Sequence, residues 1–197
     1  KSRLNSLAIL AFSAIKNNDK VGVIFFSDII EEFIPPKKGK SHILRIIRQI
    51  LSFKPKNKKT DISQAIEYFN NVMKKRCICF ILSDYISPSF EKPLKIASKK
   101  HDIVALRISD EREKKLPNVG LVPLKDAEND TISYVDTSSK IIRNLFSKNQ
   151  KENEEELLKL FPKCGVDMID IITGEDYVKP LISFFKNREK RRWKNFS

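Results

Sequence analysis

This chain of 197 residues is poor in glycine (5), cysteine (3) and histidine (2), and it has no long apolar run. Five glycines and nine prolines exclude a collagen-like or linker-dominated polymer. No uninterrupted apolar stretch approaches the roughly 20 residues of a membrane-spanning helix. The opening segment lacks a secretory leader's pattern: Asn5, Ser6 and Ser13 interrupt Leu4 to Ile15, and no cleavage-like site follows. Three cysteines do not build a disulfide framework. Cys77 and Cys79 alternate within an apolar run, so in a strand they share one face, and core packing is their ordinary role. Cys164 is remote, and His42 and His101 stand at no metal-motif spacing from it. The expected compartment is a reducing cytoplasm. What remains is 41% hydrophobic and 32% charged, a composition and length that suit one domain over residues 1–197.

The formal charge is +13, and it is unevenly spread. From Phe33 to Thr60 there are nine basic residues (Lys37, Lys38, Lys40, Arg45, Arg48, Lys54, Lys56, Lys58, Lys59) and no acid. Residues 186–197 form a basic tail of net +5. The rest of the chain is near neutral. Such segments suit nucleic acid, an anionic membrane or an acidic protein, and Lys37, Lys38, Lys56, Lys58 and Lys59 are the anion-binding candidates. A solvated face plus a basic tail is the ordinary alternative.

Apolar periodicity orders the elements. Leu4, Leu7, Ala8, Ala11, Ala14 and Ile15 mark a first helix. Val21 to Phe26 is a continuous apolar run, the mark of a strand covered on both faces. Glu32 to Pro35 reads as a short edge strand, because proline cannot donate to a central ladder. A helix with Ile43, Leu44, Ile46, Ile47, Ile50 and Leu51 follows, with Ser41 as its expected cap. Thr60-Asp61 opens a helix with Ile62, Ala65, Ile66, Phe69 and Val72-Met73 inward. Cys77 to Leu82 is a strand, Ser89 to Lys100 a helix and Asp102 to Ile108 a strand. Gly120 to Lys125 and Thr131 to Val135 make a hairpin. Ile141 to Ser147 and Glu152 to Leu160 read as two helices. Val166 to Ile172 is the last strand, and Asp176 to Arg191 the last helix. This alternation predicts an α/β sheet covered on both faces.

Ligands of open α/β sheets gather beyond the carboxyl ends of the strands. Three strands end in Ser-Asp: Ser27-Asp28, Ser83-Asp84 and Ser109-Asp110. Thr60-Asp61 is a fourth oxygen-rich pair. Such side chains on one rim suit a hard cation such as Mg²⁺. Each pair also has a plain structural use, as a helix cap or a strand-end turn.

Lys20 to Asp28, Phe33 to Gly39, Thr60-Asp61-Ile62 and Phe80 to Tyr85 form an ordered set. Lys100 to Ala105, Asp110-Glu111-Arg112-Glu113 with Leu116-Pro117, and Asp126-Ala127-Glu128 extend it to about residue 146. The set resembles the bacterial domain of unknown function family numbered fifty-eight, a branch of the von Willebrand factor type A superfamily. The resemblance implies a Rossmann-like von Willebrand factor A-type three-layer sandwich, an α/β fold with a mostly parallel central sheet. It also implies a metal-ion-dependent adhesion site joining a DxSxS motif, a threonine and an aspartate. Thr60 and Asp84 match the last two, with Asp61 as a neighbour, and Ser27, Asp28, Ser83 and Tyr85 are the expected partner contacts. An acidic group of the partner would complete the Mg²⁺ shell, and no bond would be broken. By this resemblance the partner is a MoxR-type AAA+ ATPase in chaperone or complex-assembly work.

No DxSxS occurs in the 197 residues. The expectation is therefore a chain without the first, central strand, with a metal site half present. Two mid-sheet edges would then lie open, closed by rearrangement or by strand exchange between copies. A second reading is a Mg²⁺-dependent phosphoesterase or nuclease using Asp84 with Asp61 or Asp110. Against it, there is no glycine-rich phosphate loop, and His101-Asp102 suits a helix end or surface turn. A third reading is a nucleic-acid or membrane-surface binder working through the Lys37–Lys59 face or the Arg188–Trp193 tail.

Overall fold

The computed structural model describes residues 17–110, 116–125, 131–174, 176, 180–186 and 188. The expected first helix, the Glu111–Glu113 and Asp126–Glu128 motifs and most of the basic tail lie outside the described residues.

The chain enters through β1 (Val21–Phe26), which pairs antiparallel with β2 (Ile30–Lys37) from Phe26↔Ile30 to Val21↔Lys37. The expected four-residue edge strand is in fact eight residues long. Its Pro35 and Pro36 are tolerated because β2 has, among the described residues, one ladder partner. Gly22 is required on the facing strand, since a Cβ there would lie 2.8 Å from the Ile34 carbonyl oxygen and 2.9 Å from Pro36 N. Helix α1 (Lys40–Ser52) buries Ile43 and Ile46. It is fastened to the hairpin by His42 Nε2 donating to the Val21 carbonyl (2.9 Å) and Gln49 to Glu32 (2.7 Å). Its cap position is Gly39 and not Ser41: φ of 104° there is open to glycine and costly for serine.

Helix α2 (Ile62–Val72) is capped by Asp61, whose carboxylate accepts from Gln64 N at 3.0 Å. Ile62, Ala65, Ile66 and Phe69 are buried, as their spacing predicts, whereas Val72 and Met73, also expected inward, are only half-buried because the helix ends there. Then follow β3 (Ile78–Ser83), α3 (Glu91–Lys100) and β4 (Asp102–Ser109). A hairpin of β5 (Leu121–Lys125) and β6 (Ile132–Asp136) leads into α4 (Lys140–Lys163) and β7 (Asp167–Ile172). Residues 180–186 are helical. Where two helices were expected after residue 140, α4 is one helix of 24 residues. The stretch between them holds no helix breaker, and the i,i+4 pair Lys148–Glu152 spans the supposed gap, with Glu155–Lys159 one turn further on.

β3, β4 and β7 form a parallel sheet in that order, with Ser83 level with Arg107 and Ser109 level with Ile172. One face carries Ile62, Ile66, Tyr85, Phe90, Leu94, Ala97, Ile103, Ala105, Phe161 and Val166. The other carries Val104, Leu106, Ile108, Ile169, Ile171 and Leu181. This is a mixed α/β fold with a three-stranded parallel sheet, covered on both faces. Among the described residues the two hairpins are ladders separate from this sheet.

The edges differ in a telling way. The outer edge β2 carries Glu31, Glu32, Pro35 and Pro36, and the outer edge β7 carries Asp167 and Asp170. These are the devices that keep an edge from pairing with a stranger. Among the described residues β1 and β3 have one ladder partner each, and neither strand carries a charge or a proline. Both contribute to one core, through Phe26 from β1 and Cys79 and Ile81 from β3.

Candidate binding rim

The rim is built where β1 and β3 end. The Ser27 carbonyl accepts from Asp61 N at 2.9 Å, which joins the end of β1 to the start of α2. Ser87 joins α2 to the loop after β3: its hydroxyl donates to the Thr60 carbonyl and accepts from Ile62 N, both at 3.2 Å. Three loops that are far apart in sequence thus meet at Ser27, Thr60-Asp61 and Ser83–Ser87.

Tyr85 fixes the third loop. Its φ of 61° is strained for a bulky residue, so the surroundings must hold it. Its N–H donates to Ser83 Oγ (3.1 Å), and its hydroxyl donates to the Ile81 carbonyl (2.7 Å). Its ring packs against Phe90 and Phe161 at centroid distances of 5.7 and 5.0 Å. Burial, with the nearby Cys79 adding to it, pushes the phenol well above its ordinary pKa, so it stays a neutral donor.

The first loop is tied to the lysine-rich segment. Glu31 accepts from the Ser27 hydroxyl (2.8 Å), from Lys56 N (2.9 Å) and from Asn57 N (3.4 Å). The Asn57 amide donates to Asp28 at 2.7 Å. Desolvation opposes the Glu31 charge, but the Ser27 hydroxyl and the two backbone donors prevail and hold its pKa below the ordinary carboxylate value.

Several expected site residues change role. Ser27, Ser83 and Tyr85, read as partner contacts, are buried, at 4%, 8% and 5% exposure. They brace loops instead. Asp28, Thr60, Asp61 and Asp84 are half-buried, and Ile29 and Ile86 stand beside them at 40% and 67% exposure. The outward rim is therefore acidic and hydroxylic with two apolar residues. Ile86 N donates to Asp84 Oδ1 at 3.2 Å, so this carboxylate also serves its own turn. Among the described residues no three His, Cys, Asp or Glu side chains are grouped to hold a metal ion. Thr60 and Asp84 alone do not fit the near-octahedral oxygen shell of Mg²⁺. Asp110 follows β4, whose last residue stands two positions, about 7 Å, past the level of Ser83.

The lysines divide. Lys37 and Lys38 sit where β2 ends beside Val21, whereas Lys56, Lys58 and Lys59 precede α2 near the other end of β1. All five are exposed, but a strand length of roughly 20 Å separates the groups. Arg188 is drawn off the tail into the fold, where it bonds Asp102 and Asp167 and lies 5.2 Å from the Phe184 ring centroid.

Sequence reasoning missed Glu31, Asn57 and Ser87. Asn57 was absorbed into a lysine run, and Ser87 is one of many loop serines. His101, expected at a helix end or surface turn, does end α3, where its N–H donates to the Ala97 carbonyl, but its side chain is 3% exposed, with Nδ1 3.5 Å from Cys77 Sγ and its ring edge-on to Phe69. All three cysteines are free.

Comparison with known proteins gives the following. The model of the family described as "Protein of unknown function DUF58" matches residues 3–156. An uncharacterized protein of Mycobacterium tuberculosis is 22% identical over 192 residues, covering 93% of this chain and 60% of the relative. An uncharacterized protein of Mycobacterium avium is 24% identical over 160 residues, covering 80% of this chain and 94% of the relative. The chain thus spans about three fifths of the length of the first curated relatives it matches. Among solved structures, the conserved hypothetical protein BatB of Bacteroides thetaiotaomicron aligns with TM-score 0.48 and 13% identity over 96% of this chain and 89% of that one. An aerotolerance-related membrane protein of Bacteroides fragilis aligns with TM-score 0.46 and 18% identity over 74% of this chain and 76% of that one. No helix among the described residues is long and apolar enough to cross a membrane.

Proposed function

The chain belongs to the family of proteins of unknown function DUF58, and from that membership we propose that it is a protein-interaction module of von Willebrand factor A type, not an enzyme. One observation carries the reading. Three loops at the ends of β1 and β3 and the start of α2 are bonded into a single rim, and a strained Tyr85 holds Asp84 and Ile86 in place on it. A preorganised surface of half-buried carboxylates and exposed isoleucines suits recognition, because little conformational entropy is lost on contact. By family resemblance the partner is a MoxR-type AAA+ ATPase, and the setting is cytoplasmic. The Mg²⁺ part of the reading needs ligands beyond Thr60 and Asp84, and the rim recognition proposed here does not depend on it.

The test is capture of such an ATPase by the purified chain, with and without EDTA. Ile86→Asp lies on the exposed rim and should abolish capture while leaving the circular dichroism spectrum unchanged. Tyr134→Ser, on the separate β5–β6 hairpin, should not affect it. Capture that ignores both Ile86→Asp and Asp84→Ala overturns the assignment. So does turnover of phosphate esters or nucleic acid in Mg²⁺ or Mn²⁺ that Asp84→Ala abolishes.

A further inference from the structure

The nine cations between Phe33 and Thr60 are not explained by the rim. Six of them (Lys37, Lys38, Lys40, Arg45, Arg48 and Lys54) line α1 and its two ends. The exposed residues of α1 are Lys40, Ser41, Leu44, Arg45, Arg48, Leu51 and Ser52. On a helix these fall on one face. The opposite face is committed to the hairpin by Ile43, Ile46, His42 and Gln49, and Phe53 stacks on Phe25 with ring centroids 4.4 Å apart. The orientation of α1 is therefore fixed, and the outward side chains are held outward.

Two leucines on that outward face have no core to enter. Leu44 is 44% exposed and Leu51 63% exposed. They stand seven residues apart, roughly 10 Å along the helix, with Arg45 and Arg48 between them. Lys37, Lys38 and Lys40 flank one end, and Lys54 follows the other. Among the described residues none of these six cations is held in an ion pair. The acids on β2 are engaged elsewhere: Glu32 receives Gln49, and Glu31 faces Ser27.

We propose that the outward face of α1 docks on an anionic lipid surface, with Lys37, Lys38, Lys40, Arg45, Arg48 and Lys54 on the headgroups and Leu44 and Leu51 entering the interfacial layer. Charge complementarity selects an anionic partner. The leucines select lipid over nucleic acid. A single nucleic-acid strand would be met by an aromatic platform, which the exposed face of α1 lacks, and a duplex backbone would leave Leu44 and Leu51 against charged phosphates. A helix lying flat with cations around apolar side chains is the arrangement that lipid interfaces bind. The face uses none of the rim residues, so the proposal stands or falls apart from the function proposed above.

The test is sedimentation of the full chain with vesicles of phosphatidylcholine alone and of phosphatidylcholine with about 30 mol% phosphatidylglycerol. Binding is expected only to the anionic vesicles, weakening as salt rises. Arg45→Gln with Arg48→Gln should lower the partition coefficient about 25-fold, from roughly 1 kcal/mol per cation. Leu44→Ser with Leu51→Ser leaves the charge unchanged and should lower it about tenfold. All four positions are exposed, and circular dichroism checks that each variant folds. Absence of anionic-vesicle binding overturns the proposal. So does vesicle binding that the leucine variant leaves unchanged, or preference for duplex DNA over anionic vesicles at equal salt.

Discussion

Replacing Arg107 with methionine tests how the long helix is held to the sheet. Arg107 is 7% exposed and lies on β4 between buried Leu106 and Ile108. Its Nε bonds Asp170 on β7, and its Nη2 bonds Glu154 on α4. One guanidinium thus links the central strand, its neighbour and the helix that passes over them. Removing one partner of a fully buried pair costs about 3–5 kcal/mol. Here the two carboxylates are 34% and 37% exposed and regain part of their hydration, so we take roughly 2–3 kcal/mol for Arg107→Met. At roughly 2–4 °C per kcal/mol for a domain of this size, the melting temperature falls by about 5–10 °C. Lysine keeps the charge but offers one nitrogen for two separated acceptors, so Arg107→Lys should recover about half the loss. The triple variant R107M/E154Q/D170N removes the stranded charges and should return to within about 1 kcal/mol of the parent. Urea unfolding followed by far-ultraviolet circular dichroism measures all three, with the slope checked for constancy. Arg107→Met as stable as the parent would refute the reasoning, because the two carboxylates would then have needed no countercharge.

The open edges make a second prediction. Ile78 is 58% exposed at the start of β3, so Ile78→Lys adds an edge charge without emptying the core; the parent chain should self-associate in light scattering and the variant should not, and a monodisperse parent would sink the idea. His101 makes a third. Burial, aided by Lys100 and Arg76, lowers its pKa below the ordinary 6.5, so the folded state resists protonation more than the unfolded state. Its contribution to stability is full above about pH 6.5 and is lost as the pH falls through the folded value. Urea midpoints between about pH 7 and pH 5 should therefore fall less steeply in His101→Gln, and an unchanged slope would remove the histidine from the account.

Local pattern was enough wherever burial on both sides demanded a contiguous apolar run. β4 was legible for that reason; β1 and β3 were legible as apolar runs although they are largely half-buried, β7 by Met168, Ile169, Ile171 and Ile172 around Asp170, and α2 by its Asp61 cap and its Ile62, Ala65, Ile66, Phe69 stripe. α4 was misread because its middle, Lys148 to Glu156, is dense in charge. That density looked like a fresh helix start, when it is an exposed span laced by i,i+4 pairs. Ser41 was preferred over Gly39 as the cap of α1 because side-chain chemistry is visible in sequence and a φ of 104° is not. The division of the lysines between two ends of the hairpin was equally hidden. Neighbours in sequence are separated here because α1, roughly 20 Å long, runs between them.

The rim shows a subtler limit. Ser27-Asp28 and Ser83-Asp84 were recognised as one repeated chemistry, and both do end strands. What repeats, however, is a turn. Each serine hydroxyl accepts the N–H two residues on, Ile29 N at 3.4 Å and Tyr85 N at 3.1 Å, and each serine is buried in doing so. The short oxygen side chain satisfies the backbone at the strand end, and the chain is then turned outward. What is turned outward is Ile29 after the first pair and Ile86 after the second, both exposed. The motif residues carry the geometry, and the residues just past them carry the exposed surface. That is why Ile86→Asp, which leaves every turn hydrogen bond in place, is a sharper probe of recognition here than any substitution of Ser27, Ser83 or Tyr85.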